Sequence, residues 1–293
     1  MQNPFSDKYT GNEEDIVLIE KAVSGDKIAL ENLIRKHQDW IYNVALRMVY
    51  SPDDAKDVTQ EVLVKVITKL SSFRKESSFR TWLYRIVFNY ILNLRRVNAE
   101  HSRISDFDSY GAAIDSCPDN DFPESFGFKA SEIIEEVKLF CMFGMLLCLS
   151  REQRLVFVLG SLFGVTDAVG AELLDISKEN FRKKLSRARK DMFSFMNNRC
   201  GLMDKSNPCS CNKKASALID SGLVNPDKLV FNRDYVRTVR ELTPVTLSKF
   251  DDYISEKGNK LFSEQPFRKS PDFVIYIRRL IDSNSFREIF KFN

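Results

Sequence analysis

Three groups of residues have the types and spacing to do chemistry. In the first, Lys178, Arg182, Lys183, Lys184, Arg187, Arg189 and Lys190 gather within thirteen positions against a single acid, Glu179. Cations so grouped grip phosphates or pair with guanine edges. The second joins Asp54, Asp57, Gln60 and Glu61, an acidic and amide-bearing strip at helical spacing, to a downstream run in which aromatics alternate with arginines. That run holds Phe73, Phe79, Trp82, Tyr84, Phe88 and Tyr90 beside Arg74, Arg80, Arg85, Arg95 and Arg96. Flat rings beside cations suit stacking of unpaired bases and neutralisation of their backbone. The third is a turn-rich thiol cluster, Cys200, Cys209 and Cys211. Three thiolates can hold zinc if a fourth ligand joins them, such as Asp204 or a cysteine from elsewhere. Each group also has a plainer meaning: a solvated basic face, a solubilising acidic face with aromatics in the core, and free thiols.

The elements that must position these groups read as helices. Residues 13–51 form two, broken at Ser24-Gly25, and the second follows Asp26 as N-cap. Leu30, Leu33, Ile34, His37, Ile41, Val44, Ala45 and Met48 make its apolar stripe. A third helix runs from about Asp53 to Leu70 with Ala55, Val58, Val62 and Val66 inward, and a fourth carries Phe79, Trp82, Ile86 and Tyr90 on one stripe. Residues 98–130 lack periodicity and read as a flexible linker. Helices resume at 131–148, 151–162, 166–174 and 177–196. In the last pair an apolar bracing helix passes through Asp175-Ile176-Ser177 into the basic helix, whose buried stripe is Phe181, Leu185, Ala188 and Met192. Arg182, Lys183, Ser186, Arg187, Arg189 and Lys190 then point outward, the layout of a helix-turn-helix. Further amphipathic helices fall near 213–221, 245–257 and 271–291. The last has an apolar stripe of Phe273, Ile275, Tyr276, Leu280, Ile281, Phe286, Ile289 and Phe290, suited to packing or to a membrane surface.

Composition bounds the rest. The 293 residues, 43% hydrophobic and 29% charged, describe a globular and mainly helical protein of two or three domains. No apolar stretch of about twenty residues is present, so no membrane span is expected. The N-terminus lacks a basic-then-apolar leader, which places the expected site of action in the cytoplasm. A net charge of +3 with one concentrated basic helix points to a local phosphate contact. Six cysteines in such a chain read as reduced thiols. No P-loop, nucleophile elbow or His-Glu-x-x-His motif occurs, so an enzyme is not expected.

Asp57-Val58-Thr59-Gln60-Glu61, the Phe73-to-Asn89 segment and Leu185-Ser186-Arg187-Ala188-Arg189 occur in that order. Together they resemble the extracytoplasmic-function sigma factors of bacterial RNA polymerase. The upstream Ser24-Gly25-Asp26-Lys27-Ile28-Ala29-Leu30 is similar to that family's start. The resemblance implies an all-α chain with two small helical domains joined by a flexible linker, plus a helical extension. Residues 13–97 would be sigma region 2, 98–130 the linker, 131–197 the region 4 helix-turn-helix, and 198–293 a cysteine-containing extension. Asp54, Asp57, Gln60 and Glu61 would dock on the clamp helices of the largest polymerase subunit. Phe73, Ser77, Ser78, Phe79, Trp82 and Asn89 would hold the unstacked −10 strand, and Arg182, Lys183, Ser186 and Arg187 would read the −35 duplex. No cofactor is required, with zinc at Cys200, Cys209 and Cys211 as an option. Promoter DNA, core polymerase and an anti-sigma factor are the implied partners. A stand-alone helix-turn-helix regulator is the competing reading, and it leaves the Asp57-to-Asn89 group without purpose. The sequence departs from the family at Asp175, where glycine is usual, at Gly170, where a branched apolar residue usually packs, and at Lys178-Glu179-Asn180. The extension is expected to modulate activity in cis.

Overall fold

The computed structural model describes residues 3–94, 106–120, 122, 127, 129–231, 235–238 and 252–283. Short polar side chains start most of the helices by satisfying their free N–H groups. Asp26 accepts from the Ile28 and Ala29 amides at 2.9 and 3.1 Å, opening α2 (Lys27–Val49) after α1 (Asn12–Val23). Ser51 caps α3 (Pro52–Lys69), where Pro52 spends its missing donor harmlessly in the first turn. Ser78 caps α4 (Phe79–Leu92). Ala55, Val58, Val62 and Val66 of α3 are buried, as their spacing predicts.

The segment read as linker carries a helix, α5 (Phe107–Ser116), started by Asp106. Tyr110 anchors it, buried and donating to the Cys141 carbonyl at 3.0 Å. Residues 98–105 lie outside the described residues. Next come α6 (Ala130–Leu147), α7 (Arg151–Phe157) continuing into a π-turn at Val158–Leu162, α8 (Asp167–Leu174) and α9 (Lys178–Arg199). The extension supplies α10 (Cys211–Asp220), strand β1 (Tyr235–Thr238), α11 (Asp252–Ser263), strand β2 (Pro266–Arg268) and α12 (Phe273–Asp282). The two strands pair antiparallel. The expected helix at 245–257 falls partly outside the described residues, as do Phe286, Ile289 and Phe290. No described helix is long and apolar enough to cross a membrane.

Helix α2 is the hub. The sequence shows one apolar stripe, but from His37 to Val49 every side chain is buried. Helices α1, α3, α4, α6 and α7 and the extension all pack on it. Asp39, Asn43 and Arg47, three polar residues four positions apart, receive the extension. Asp39 accepts from the Ser270 amide (2.9 Å) and hydroxyl (2.6 Å). Asn43 donates to the Arg268 carbonyl (2.7 Å) and accepts from its amide (2.9 Å), while Arg47 donates to the Pro266 carbonyl (3.0 Å). The match is metric: four helical residues rise about 6.0 Å, and two strand residues about 6.6 Å. Residues 266, 268 and 270 therefore fall on successive rungs. Phe267 packs on Trp40, ring centroids 4.8 Å apart. Beyond the rungs α12 buries Phe273, Val274, Ile277 and Ile281 and fastens to α2 through Arg278–Glu31 and Lys27–Asp282, each at 2.6 Å. Of the stripe expected on this helix, Phe273 and Ile281 pack inward, whereas Ile275 and Tyr276 are exposed and Val274 and Ile277 take their place in the contact.

Candidate nucleic-acid interface

The acidic strip forms as expected on the solvent side of α3. Asp57 and Glu61 are exposed, and Asp54 and Gln60 are half-buried. Partial burial, then the charges of Asp57 and Asp53, raise the Asp54 carboxyl above its ordinary range. The strip thus holds concentrated negative charge that a basic partner would relieve.

Between α3 and α4 the loop turns through Lys75 at φ 60°, tied to Glu20 at 2.5 Å. Phe73, Phe79 and Trp82 form one aromatic group, with centroids 5.5 to 5.7 Å apart. Only part of it can meet a base. Phe79 is 1% exposed, and Tyr84 and Phe88 are also core, so these three cannot stack on DNA. Phe73 and Trp82 keep open edges. Asn89 is exposed two turns beyond Trp82 on the same side, and Ser77 and Ser78 are half-buried at the start of the helix. Arg80 is also drawn inward, donating to the Ser6 carbonyl at 3.1 Å.

Helices α8 and α9 are joined by a turn of three residues, Asp175 to Ser177. Thr166 caps α8, Ser177 caps α9, and Asp175 between them is left-handed at φ 57°, ψ 45°. The turn therefore keeps the geometry that glycine would supply, at a cost of about 1–2 kcal/mol. Gly170 is required. A Cβ there would meet the Phe181 ring at 2.3 Å, so the missing side chain lets α8 lie close on α9. Arg182, Lys183, Ser186 and Arg187 are exposed. Arg182 pairs with Asp167 at 2.5 Å and Lys183 with Glu179 at 2.7 Å, surface contacts worth about 0–1 kcal/mol that phosphate can replace. Arg189, expected outside, turns inward to Ser161 Oγ at 2.9 Å.

The two surfaces meet. Glu172 of α8 accepts from Thr81 and lies 3.6 Å from Arg80, while Arg85 donates to the Glu172 carbonyl at 3.1 Å and to Asp175 at 3.2 Å. From α7, Arg154 donates to the Met48 carbonyl and Arg151 to that of Leu94. Phe5 fills the centre of the seam, 4.8 Å from Tyr84 and 5.5 Å from both Trp40 and Phe163. These groups, and the Asp39–Asn43–Arg47 rungs, escaped sequence reading. Asn43 and Arg47, four positions apart within the otherwise apolar stretch from Trp40 to Val49, were the available signal.

The zinc option at Cys200, Cys209 and Cys211 is not supported. Among the described residues no group of three or more His, Cys, Asp or Glu is arranged to hold a metal ion. Cys200 and Cys209 meet as a backbone bridge, and Asp204 is committed to Ser206 at 2.8–2.9 Å. Burial pushes the Cys209 and Cys211 thiols up to about 11 and about 12.

The family model Sigma-70 region 2 matches residues 33–100. Over 180 residues the chain is 30% identical to the ECF RNA polymerase sigma-E factor of Haemophilus influenzae, covering 60% of this chain and 91% of that protein. The Escherichia coli sigma-E factor gives 30% over 184 residues, 60% and 90%. The RNA polymerase sigma-H factor of Pseudomonas aeruginosa is 42% identical over 77 residues, 26% of this chain and 40% of that one. A solved structure of CnrH in complex with the cytosolic domain of CnrY aligns at 22% identity with a TM-score of 0.44, covering 62% of this chain and 97% of that one.

Proposed function

Because this chain belongs to the extracytoplasmic-function sigma factors, non-enzymatic subunits that serve RNA polymerase in transcription initiation, we propose that it is a sigma factor held closed by its own extension. The observation that carries this reading is the contact between α4 and α8, with the extension bound at the same time to α2 through residues 266–282 and to α9 and the π-turn through α11. Promoter elements at −10 and −35 lie about 25 base pairs apart, roughly 85 Å at about 3.4 Å per pair. Helices that touch cannot read both. Opening must precede promoter binding, and the extension opposes it.

In the open form, region 2 (13–97) and region 4 (131–197) act as separate readers joined by 98–130, with 198–293 as the regulatory part. Asp54, Asp57, Gln60 and Glu61 dock on the clamp helices of the largest polymerase subunit, where their uncovered charge meets basic side chains. Phe73 and Trp82 stack on the −10 strand, Ser77, Ser78 and Asn89 hydrogen-bond it, and Phe79 supports them from the core. Arg182, Lys183, Ser186 and Arg187 contact the −35 duplex. The chain works in the cytoplasm, beside polymerase and DNA. The extension supplants or supplements an anti-sigma partner.

Run-off transcription with core polymerase on a genomic fragment library tests this. The chain truncated after Arg199 should give more promoter-dependent transcript than the full chain. Equal yields and equal open-complex lifetimes would show that the extension imposes no restraint.

A further inference from the structure

A cavity of about 650 Å³ lies where all the parts of the chain meet. Tyr50 at the end of α2, Ile114 of α5, Phe140 of α6 and Leu218 of α10 each contribute a wall. Native interiors hold few voids larger than a water, and a water occupies about 30 Å³ in the liquid. This space is about twenty times that, and it lies in the range of small-molecule pockets. Its floor is set by Gly144, where a Cβ would strike the Tyr110 hydroxyl at 2.6 Å; the glycine lets α5 rest on α6. The mouth carries Leu223, 58% exposed.

The lining decides what fits. It is mostly carbon and sulfur, including Cys141, Cys209 and Cys211. Burial keeps these thiols protonated, so they add no charge. Lys214 is the charged residue of the wall, and it is spent on Asp119 at 2.8 Å and on the Cys117 carbonyl. The Tyr110 hydroxyl is committed to Cys141. An anion finds no free cation among the described walls, and water in such a space gains little hydrogen bonding.

The geometry points to a binding site for a neutral, lipophilic small molecule, formed only when linker helix, region 4 and extension are packed together. An occupant therefore favours, by mass action, the chain in which linker helix, region 4 and extension are packed together. This goes beyond the sigma-factor reading, and its test needs neither polymerase nor promoter.

The full chain is titrated with Nile red, a neutral lipophilic dye, and followed by fluorescence and thermal unfolding. One saturable site is expected, with a rise in Tm. Ala217→Phe, which places a ring in the space, should bind at least about tenfold more weakly, and its Tm should not respond to dye. Circular dichroism checks its fold, and Ala113→Leu on the opposite wall gives a second, milder filling. Absence of saturable binding to the natural chain, or equal binding by both folded variants, overturns the site. Failure there leaves the transcription reading untouched, since that rests on the truncation assay.

Discussion

At Gly170 the decisive quantity is a distance. With a Cβ 2.3 Å from the Phe181 ring, Gly170→Ala must push α8 off α9. Overpacking of this kind costs about 1–3 kcal/mol, so Tm should fall, and Phe181→Leu in the same chain should recover part of the loss. Trp82, half-buried and proposed to stack on the −10 strand, makes the opposite case. Trp82→Ala should weaken open-complex formation by about 1–3 kcal/mol, the worth of one stacked base, while duplex binding by α9 is retained. Asp15 carries the acid sensitivity. It is wholly buried, and burial alone would raise its carboxyl; His37 beside it at 3.5 Å, then Lys36 at 2.7 Å and the Tyr9 hydroxyl at 2.8 Å, outweigh that and hold it low. A depressed carboxylate contributes stability above its unfolded value and loses it as pH falls through the folded one. Asp15→Asn should therefore destabilise the chain at neutral pH and flatten the acid limb of a stability curve measured by urea titration. An unchanged acid limb would remove Asp15 from that role.

At the scale of the element, α2 shows how one helix serves two domains. Its apolar positions build the region 2 core, and its polar rungs hold the extension. Asn43→Ala leaves the Arg268 amide and carbonyl without that partner, and an unpaired buried polar group costs about 1–3 kcal/mol. The clasp should loosen, and limited proteolysis should then cut between β2 and α12 in the variant before it cuts the natural chain. Arg47→Met should behave differently. Arg47 is fully buried among the Asn43 and Pro266 carbonyls and the Phe143 and Phe163 rings, and burial and Arg268 disfavour its charge. The substitution removes the cost of a buried charge, which offsets the loss of its hydrogen bond to the Pro266 carbonyl. If both variants lose the clasp equally, the hydrogen bond from Arg47 to the Pro266 carbonyl outweighs the cost of its buried charge.

For the whole molecule, the question is span. A compact chain of this length has a radius of gyration of about 19 Å, too small for roughly 85 Å of promoter. Small-angle scattering of the free full chain should give a value near the compact one, and removal of residues 200–293 should widen the distance distribution between regions 2 and 4. A free chain already extended in solution would mean that the α4–α8 contact does not govern access to DNA.

Most of the helices, the cap at Asp26, the turn at Asp175 and the acidic and basic strips could be read from sequence because each depends on neighbours within a few positions, whereas α5 was hidden in a segment without clear periodicity. Periodicity and capping are local physics. The resemblance to a known family rested on the same short motifs. Tertiary structure decided the rest. Only the packing of α4 turns Phe79, Tyr84 and Phe88 into core and leaves Phe73 and Trp82 at the surface. Gly170 reads as a weak point until Phe181 is seen above it, and Arg189 reads as exposed until Ser161 claims it. The rungs of α2 find partners more than two hundred residues away. No local pattern specifies which distant strand will meet a helix, because that choice depends on which surfaces remain unburied once the rest of the chain has packed.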